Sequence, residues 1–200
     1  MSTRDDILIT ARDLFARLGY EAVGVQEICT AAGITKPSLY YHYGNKESLL
    51  TRVAADAIAG LVEAMGAVSD ESSPDTADVL PYSGDLVGDI RRLFAAIIAF
   101  SRTDPSRFQL ALQLLYPPTG SALRRAGAPA IERLRAVLTG FFVRAATHHG
   151  NLAGKEAFLA VGFLGQAVAL AMYLDTSTPP PASDSPDIAQ AAQTFLYGIF

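Results

Sequence analysis

The sequence predicts an all-α chain of about nine helices, and three observations carry that prediction. Apolar residues recur at i, i+3, i+4 and i+7 through successive segments, the rhythm of helices with one buried face. Gly, Pro and short polar stretches separate the segments, and no run keeps the period of two that a half-buried strand needs. Half of the 200 residues are hydrophobic and 18% are charged, a composition that supports a packed core rather than disorder.

The first helix spans Thr3–Leu18, with Ile7, Leu8, Ala11, Leu14, Phe15 and Leu18 on one face. Thr3-Arg4-Asp5-Asp6 resembles a capping box with Asp in place of Glu, and Gly19 supplies the stop. A second helix over about residues 25–32 buries Val25, Ile28, Cys29 and Ala32, behind a weak N-cap at Gly24 that lacks a side-chain oxygen. Gly33 turns the chain and Thr35 caps a third helix over 36–43. Pro37 sits in its first turn, where a missing N–H costs nothing. Leu39 and Tyr40 point inward in this reading. Asn45 caps a fourth helix that reaches Met65 through Leu49, Leu50, Val53, Ala57 and Leu61.

Residues 69–84 are polar and broken by Pro74 and Pro81, so they read as a loop. Helical signals return over 85–103, with Ile90, Leu93, Phe94, Ile97 and Phe100 in phase. Asp104-Pro105 opens the next helix through Phe108, Leu112 and Leu115, and Pro117-Pro118 stops it. A long helix over 121–149 follows, with a kink expected at Pro129 and its buried side carried by Ile131, Leu134, Leu138, Phe141, Phe142 and Ala145. Residues 155–175 are apolar almost all round. After a proline-rich connector at 176–186, a last helix runs over 187–200 with Ile188, Ala192, Phe195, Leu196 and Ile199 in phase. A helix apolar on every side needs more cover than one small subunit provides, so 155–175 and 187–200 are the expected homodimer interface. The alternative reading of 155–175 is a central core helix.

Composition removes several classes. The single cysteine, Cys29, excludes an internal disulfide framework and a Cys-based zinc site, and fits a reducing, cytoplasmic compartment. The charged, amphipathic start is no signal peptide, and the longest apolar run, 158–174, falls short of the roughly 20 residues of a membrane span. The formal net charge is −4. Residues 1–53 balance six basic against six acidic groups, so bulk charge does not advertise a nucleic-acid binder. Locally the pattern differs: Thr35–Lys46 holds Lys36, His42 and Lys46 with no acidic residue. Two short helices joined at Ala32-Gly33-Ile34 form a helix–turn–helix, whose second helix enters the DNA major groove. Lys36, Ser38, Tyr41, His42 and Lys46 are its candidate reading surface.

The N-terminal fifty residues resemble the DNA-binding domain of the tetracycline-repressor (TetR) family of bacterial transcriptional regulators. The resemblance is carried by Ala11-Arg12-Asp13-Leu14-Phe15, Gly19-Tyr20, Val25 to Cys29, Ala32-Gly33-Ile34, Leu39-Tyr40-Tyr41-His42-Tyr43 and Asn45 to Leu50. It implies a DNA-binding domain at residues 1–48 and an effector-binding and dimerisation domain at 49–200. The family's groove-contacting positions fall on Gln26, Lys36, Pro37, Ser38, Tyr40, Tyr41, His42 and Lys46. Lys36 would donate to guanine, Ser38 would serve either strand, and Pro37 would pack on a thymine methyl. Tyr41, His42 and Lys46 would bind phosphate and fix register. For Tyr40, burial in the core is the competing role. Gly24, Val25 and Gln26 depart from the family's hydroxyl and basic residues, which implies a shallow salt dependence.

The resemblance further implies a homodimer on a palindromic operator in double-stranded DNA, released when a small molecule enters a cavity between helices. Phe100, Phe108, Leu112, Tyr116, Phe141, Gln166 and Tyr173 are the candidate effector pocket, being aromatic or isolated polar groups on apolar helices; plain core is the alternative for each. Such a lining suits an apolar or aromatic effector. The sequence calls for no cofactor, no metal and no enzyme: it has no Gly-rich phosphate loop, no metal-spaced His/Cys set and no Ser/His/Asp arrangement. His148-His149 read as solvated groups at a helix end. The competing function is an architectural or activating DNA-binding protein of the same fold without an effector.

Overall fold

The computed structural model describes residues 3–66, 79–174 and 179–198. Among them lie nine α-helices: α1 (Thr3–Leu18), α2 (Val25–Ala31), α3 (Lys36–Tyr43), α4 (Lys46–Ala64), α5 (Leu86–Thr103), α6 (Pro105–Leu115), α7 (Ala122–Ala146), α8 (Glu156–Tyr173) and α9 (Pro186–Tyr197). A 3-10 turn follows α7 at Gly150–Leu152, and Val79 makes a single-residue bridge; there is no longer strand among the described residues. The chain is all-α, as the periodicity predicts. Much of the expected loop at 69–84 and part of the connector at 176–186 lie outside the described residues.

The predicted punctuation explains most boundaries. The Asn45 carboxamide oxygen accepts from Ser48 N–H at 2.7 Å to start α4. Asp104 accepts from Arg107 N–H at 3.1 Å to start α6, and Ser185 accepts from Ile188 N–H to start α9. Two readings need correction. α1 already includes Thr3, so the expected capping box at residues 3–6 lies inside the helix rather than ahead of it. Tyr40 is 46% exposed, and Tyr43 takes the inward place beside Leu39. Residues four apart share a helix face, whereas adjacent ones point about 100° apart.

Packing groups the chain into two compact units, Met1–Gly60 with Asp104–Ile131, and Leu61–Thr103 with Glu132–Phe200. In the first, α1 packs on α2 and α6, and Gln113 of α6 donates to Ala16 O at 3.0 Å. Ile7, Ala11, Phe15, Ile28, Leu39, Leu49, Leu50, Val53 and Leu110 form its core. In the second, α5 packs on α8 and α9 around Phe94, Phe142, Phe163 and Phe195. The Phe94 and Phe163 rings are tilted at 38° with centres 4.8 Å apart, and Phe163 and Phe195 meet edge to face at 5.8 Å, the T-shaped contact that aromatic quadrupoles favour. Buried Asp89 is satisfied by Ser83 N–H at 2.7 Å, the Ser83 hydroxyl and Arg92. His149 is tied down rather than solvated, its Nε2 lying 2.7 Å from the Tyr82 hydroxyl.

α8 has two apolar faces. Leu159, Ala160, Phe163, Ala167, Val168 and Ala171 are buried within the unit, whereas Phe158, Val161, Met172 and Tyr173 face outward. By length and composition alone α8 qualifies to cross a membrane, though 33% of that stretch is buried inside the chain.

Candidate nucleic-acid interface

The helix–turn–helix is built from short local bonds. Gly24 enters α2 in extended geometry with no side-chain cap, as its missing side chain dictates. At the other end Ala32 N–H bonds Ile28 O at 2.9 Å and Ile34 N–H reaches back to Cys29 O at 2.9 Å, closing the turn around Gly33. Gly33 has φ 65°, a left-handed value that glycine adopts without Cβ strain. Thr35 then accepts from Ser38 N–H at 3.5 Å and Pro37 lies in the first turn, so α3 begins where the sequence places it.

Two residues seat α3. Leu39 is fully buried, and the buried Tyr43 ring turns its hydroxyl to donate to Arg4 O at 2.7 Å on α1. Burial raises the Tyr43 pKa, so the phenol stays protonated and keeps donating. The rest of the helix is left outward. Lys36, Pro37, Tyr40 and Tyr41 are exposed, Ser38 and His42 partly so, and Gln26 is exposed on α2. Tyr41 is 86% exposed and its ring meets His42 edge to face at 5.2 Å. With Tyr40 beside it, 46% exposed, it makes an outward aromatic surface. It suits a surface that a partner covers.

Lys46 behaves differently from its neighbours. Its Nζ donates to Tyr20 O at 2.6 Å and sits 4.0 Å from the centre of the Tyr20 ring. Tyr20 in turn packs edge to face on Phe15 at 5.2 Å. Burial lowers the Lys46 pKa, against the pull of Glu21. The ammonium therefore pins the start of α4 to the end of α1, a long-range partnership that no local spacing signals. The Tyr43 tie was closer to legible, since Leu39 and Tyr43 stand four residues apart.

The candidate effector residues are divided between the two units, with Phe108, Leu112 and Tyr116 in the first and Phe100, Phe141, Gln166 and Tyr173 in the second. Tyr116 and Tyr173 are on the surface, at 69% and 85% exposure, because each ends its helix. Phe141 is core, edge to face with Tyr82 and Phe142, and Gln166 donates to Ala191 O at 3.0 Å to join α8 to α9. Phe100 and Phe108 are buried and Leu112 partly so. None of the seven lines any of the three described cavities. Among the described residues no His, Cys, Asp or Glu group has metal-binding geometry.

Residues 7–53 match the family of bacterial regulatory proteins known as the tetR family. Over 71 residues the chain is 35% identical to the HTH-type transcriptional activator FasR of Mycolicibacterium smegmatis, covering 34% of this chain and 32% of that one. Over 55 residues it is 40% identical to the HTH-type transcriptional repressor KstR2 of the same organism, covering 28% and 27%. The alignments thus span about a third or less of these relatives' length. The solved structure of AibR, in complex with isovaleryl coenzyme A and operator DNA, superposes with a TM-score of 0.62 at 20% identity, covering 100% of this chain and 98% of that one. At that identity the likeness is one of fold.

Proposed function

We propose that the chain, whose residues 7–53 match the tetR family of bacterial regulatory proteins, is a repressor released from a palindromic operator by a small apolar or aromatic effector. Residues 1–48 bind DNA, and residues 49–200 bind the effector and dimerise. The observation that carries the reading is α3 itself: buried on Leu39 and Tyr43, it projects Lys36, Tyr40 and Tyr41 into solvent, and no acidic residue interrupts it. In this reading Lys36 and Ser38 read base edges, Pro37 meets a thymine methyl, and Gln26, Tyr40, Tyr41 and His42 hold the backbone and register. Lys46, engaged with Tyr20, sets the angle of α4 behind them.

Two copies are needed, because a two-fold operator presents half-sites about 34–36 Å apart. The outward face of α8, with Phe158, Val161, Met172 and Tyr173, and Tyr197 of α9 are apolar enough to bring them together. An effector that prefers one spacing of the two α3 helices shifts the protein toward it by its differential affinity. AibR is a structural neighbour in which an acyl coenzyme A and operator DNA occur together, which supports an effector with an apolar chain. Activation without an effector is the second reading. It is favoured by the closely packed Phe94–Phe142–Phe163–Phe195 cluster and by the description of FasR as an activator.

Selection of bound duplexes from a random pool tests the proposal. The expected consensus is palindromic, and Lys36→Ala relaxes one position per half-site by about 1–3 kcal/mol. Tyr41→Ala weakens all sequences alike. A consensus without two-fold symmetry rules out the paired reading, and no effect of either variant rules out α3.

A further inference from the structure

We propose that Arg124 and Arg125, in the first turn of α7, form a second cationic contact to the DNA backbone, with Arg125 passing from Glu47 to a phosphate on binding. The proposal rests on the reading of α3 as the DNA-contacting helix. Arg125 Nε lies 3.3 Å from Glu47 Oε1, although the two stand 78 positions apart in sequence. Glu47 is the second residue of α4, separated from the end of α3 only by Gly44, Asn45 and Lys46. A guanidinium from the far half of the sequence is thereby placed beside a residue that follows closely on the reading helix.

Three observations make phosphate the fitting occupant. First, the segment that carries the helix–turn–helix has no net positive charge, and Lys46 is turned onto Tyr20. Affinity for a polyanion must draw cations from elsewhere. Second, the Arg125–Glu47 pair is a single contact between side chains that are 62% and 52% exposed. Such a pair holds a side chain in place but contributes little, so exchange for a phosphate oxygen is easy. Arg125 Nη1 also donates to Gly120 O at 3.0 Å, which keeps the side chain near the turn. Third, the exposed Arg124 guanidinium has no partner among the described residues, while its backbone N–H is capped by Ser121 at 3.2 Å. The cap anchors the turn and leaves the charge outward. Guanidinium suits this role because its planar fork matches phosphate oxygens.

The test is the salt dependence of binding, measured with sheared double-stranded DNA of mixed sequence and with the selected operator, from about 50 to about 200 mM salt. Each phosphate contact contributes about 0.9 to the slope of log affinity against log salt. Arg124→Ala with Arg125→Ala should flatten the slope on both DNAs and leave the selected consensus unchanged, and Arg125→Lys should retain it. Glu47→Gln should tighten binding more when Arg125 is present than in the Arg125→Ala background. An unchanged slope in the double alanine variant overturns the proposal, and equal gains in the two backgrounds overturn the exchange. Wild-type protein that binds neither DNA overturns the functional reading instead, so the two failures are distinguishable.

Discussion

Arg107 clamps Asp56 through both carboxylate oxygens, with Nη2 2.6 Å from Oδ1 and Nε 3.0 Å from Oδ2. The same carboxylate accepts from Arg12 Nη1 at 3.2 Å, so one half-buried Asp on α4 ties α6 to α1. Asp104, which caps α6, also lies 3.4 Å from Arg107 Nη1 and holds the fork in line. Burial alone would raise the Asp56 pKa. The hydrogen bonds and charges of Arg107 and Arg12 outweigh it and bring the pKa below the ordinary carboxylate value. A depressed carboxyl stabilises the fold above its unfolded pKa, about 3.9, and the contribution is lost as pH falls through the lower folded value. Asp56→Asn should therefore lower stability at neutral pH by about 2–4 kcal/mol, since it leaves two arginines partly buried without their anion. The deficit relative to wild type should shrink below about pH 4. Thermal melts of both proteins across that range check it; a deficit independent of pH would show that the charge is not what stabilises the site.

The clamp lies across Gly60, and that makes a glycine testable. A Cβ placed on Gly60 would come 2.8 Å from Arg107 Cδ, closer than carbon atoms pack. Alanine is favoured over glycine inside a helix by about 1 kcal/mol, so Gly60→Ala would normally stabilise α4. Here the added methyl must push the arginine stem aside and loosen the fork on Asp56. Gly60→Ala is expected to destabilise wild type by about 1 kcal/mol, yet to stabilise the Arg107→Ala protein by a similar amount. Urea denaturation of the four proteins in the cycle measures both signs, and additivity would remove the steric account.

What the sequence disclosed and what it hid divide by range of interaction. Thr35, Pro37, Gly33 and Asn45 act on backbone within a few residues, so the ends of α3 and the start of α4 were legible from residue types alone. Tyr40 and Tyr43 were not separated because both are aromatic and one turn of helix decides between them. Lys46 is a phosphate candidate by type and position, whereas its partner Tyr20 lies 26 positions away and only the tertiary fold brings it near. The effector candidates are hard to tell from core for another reason. An aromatic on an apolar helix has the same pattern in a packed core, as for Phe141, as beside a cavity, and Tyr116 and Tyr173 stand at helix ends where burial is not enforced.

The two helix starts flanking the reading unit should respond in opposite directions. Asn45→Ala removes the oxygen that accepts from Ser48 N–H and should cost about 1 kcal/mol. Gly24 already has the extended geometry of an N-cap, and a Cβ there would meet nothing within 4 Å. Gly24→Ser should raise stability by a few tenths of a kcal/mol by capping α2. Melting temperatures give both results, and a loss in Gly24→Ser would mean that the hydroxyl does not reach the first turn.

The outward face of α8 is expected to hold two copies together. Phe158 is 79% exposed and Met172 68%, and they stand 14 positions apart, close to four full turns, so they fall on one stripe with Val161 and Gly165 between. A Cβ on Gly165 would meet nothing within 4 Å, and one on Gly162 only the Phe195 ring at 3.8 Å, which leaves the centre of the stripe low enough for a second helix to approach. Phe158→Glu with Met172→Glu places two charges where an apolar partner surface would desolvate them, at a cost of several kcal/mol per copy. Sedimentation should give a dimer for wild type and a monomer for the variant, with helical content unchanged because neither side chain packs inside the subunit. Operator binding by the monomer should fall far more than its binding to DNA of mixed sequence, since two half-sites no longer act together. A variant that still sediments as a dimer would move the interface off this face of α8.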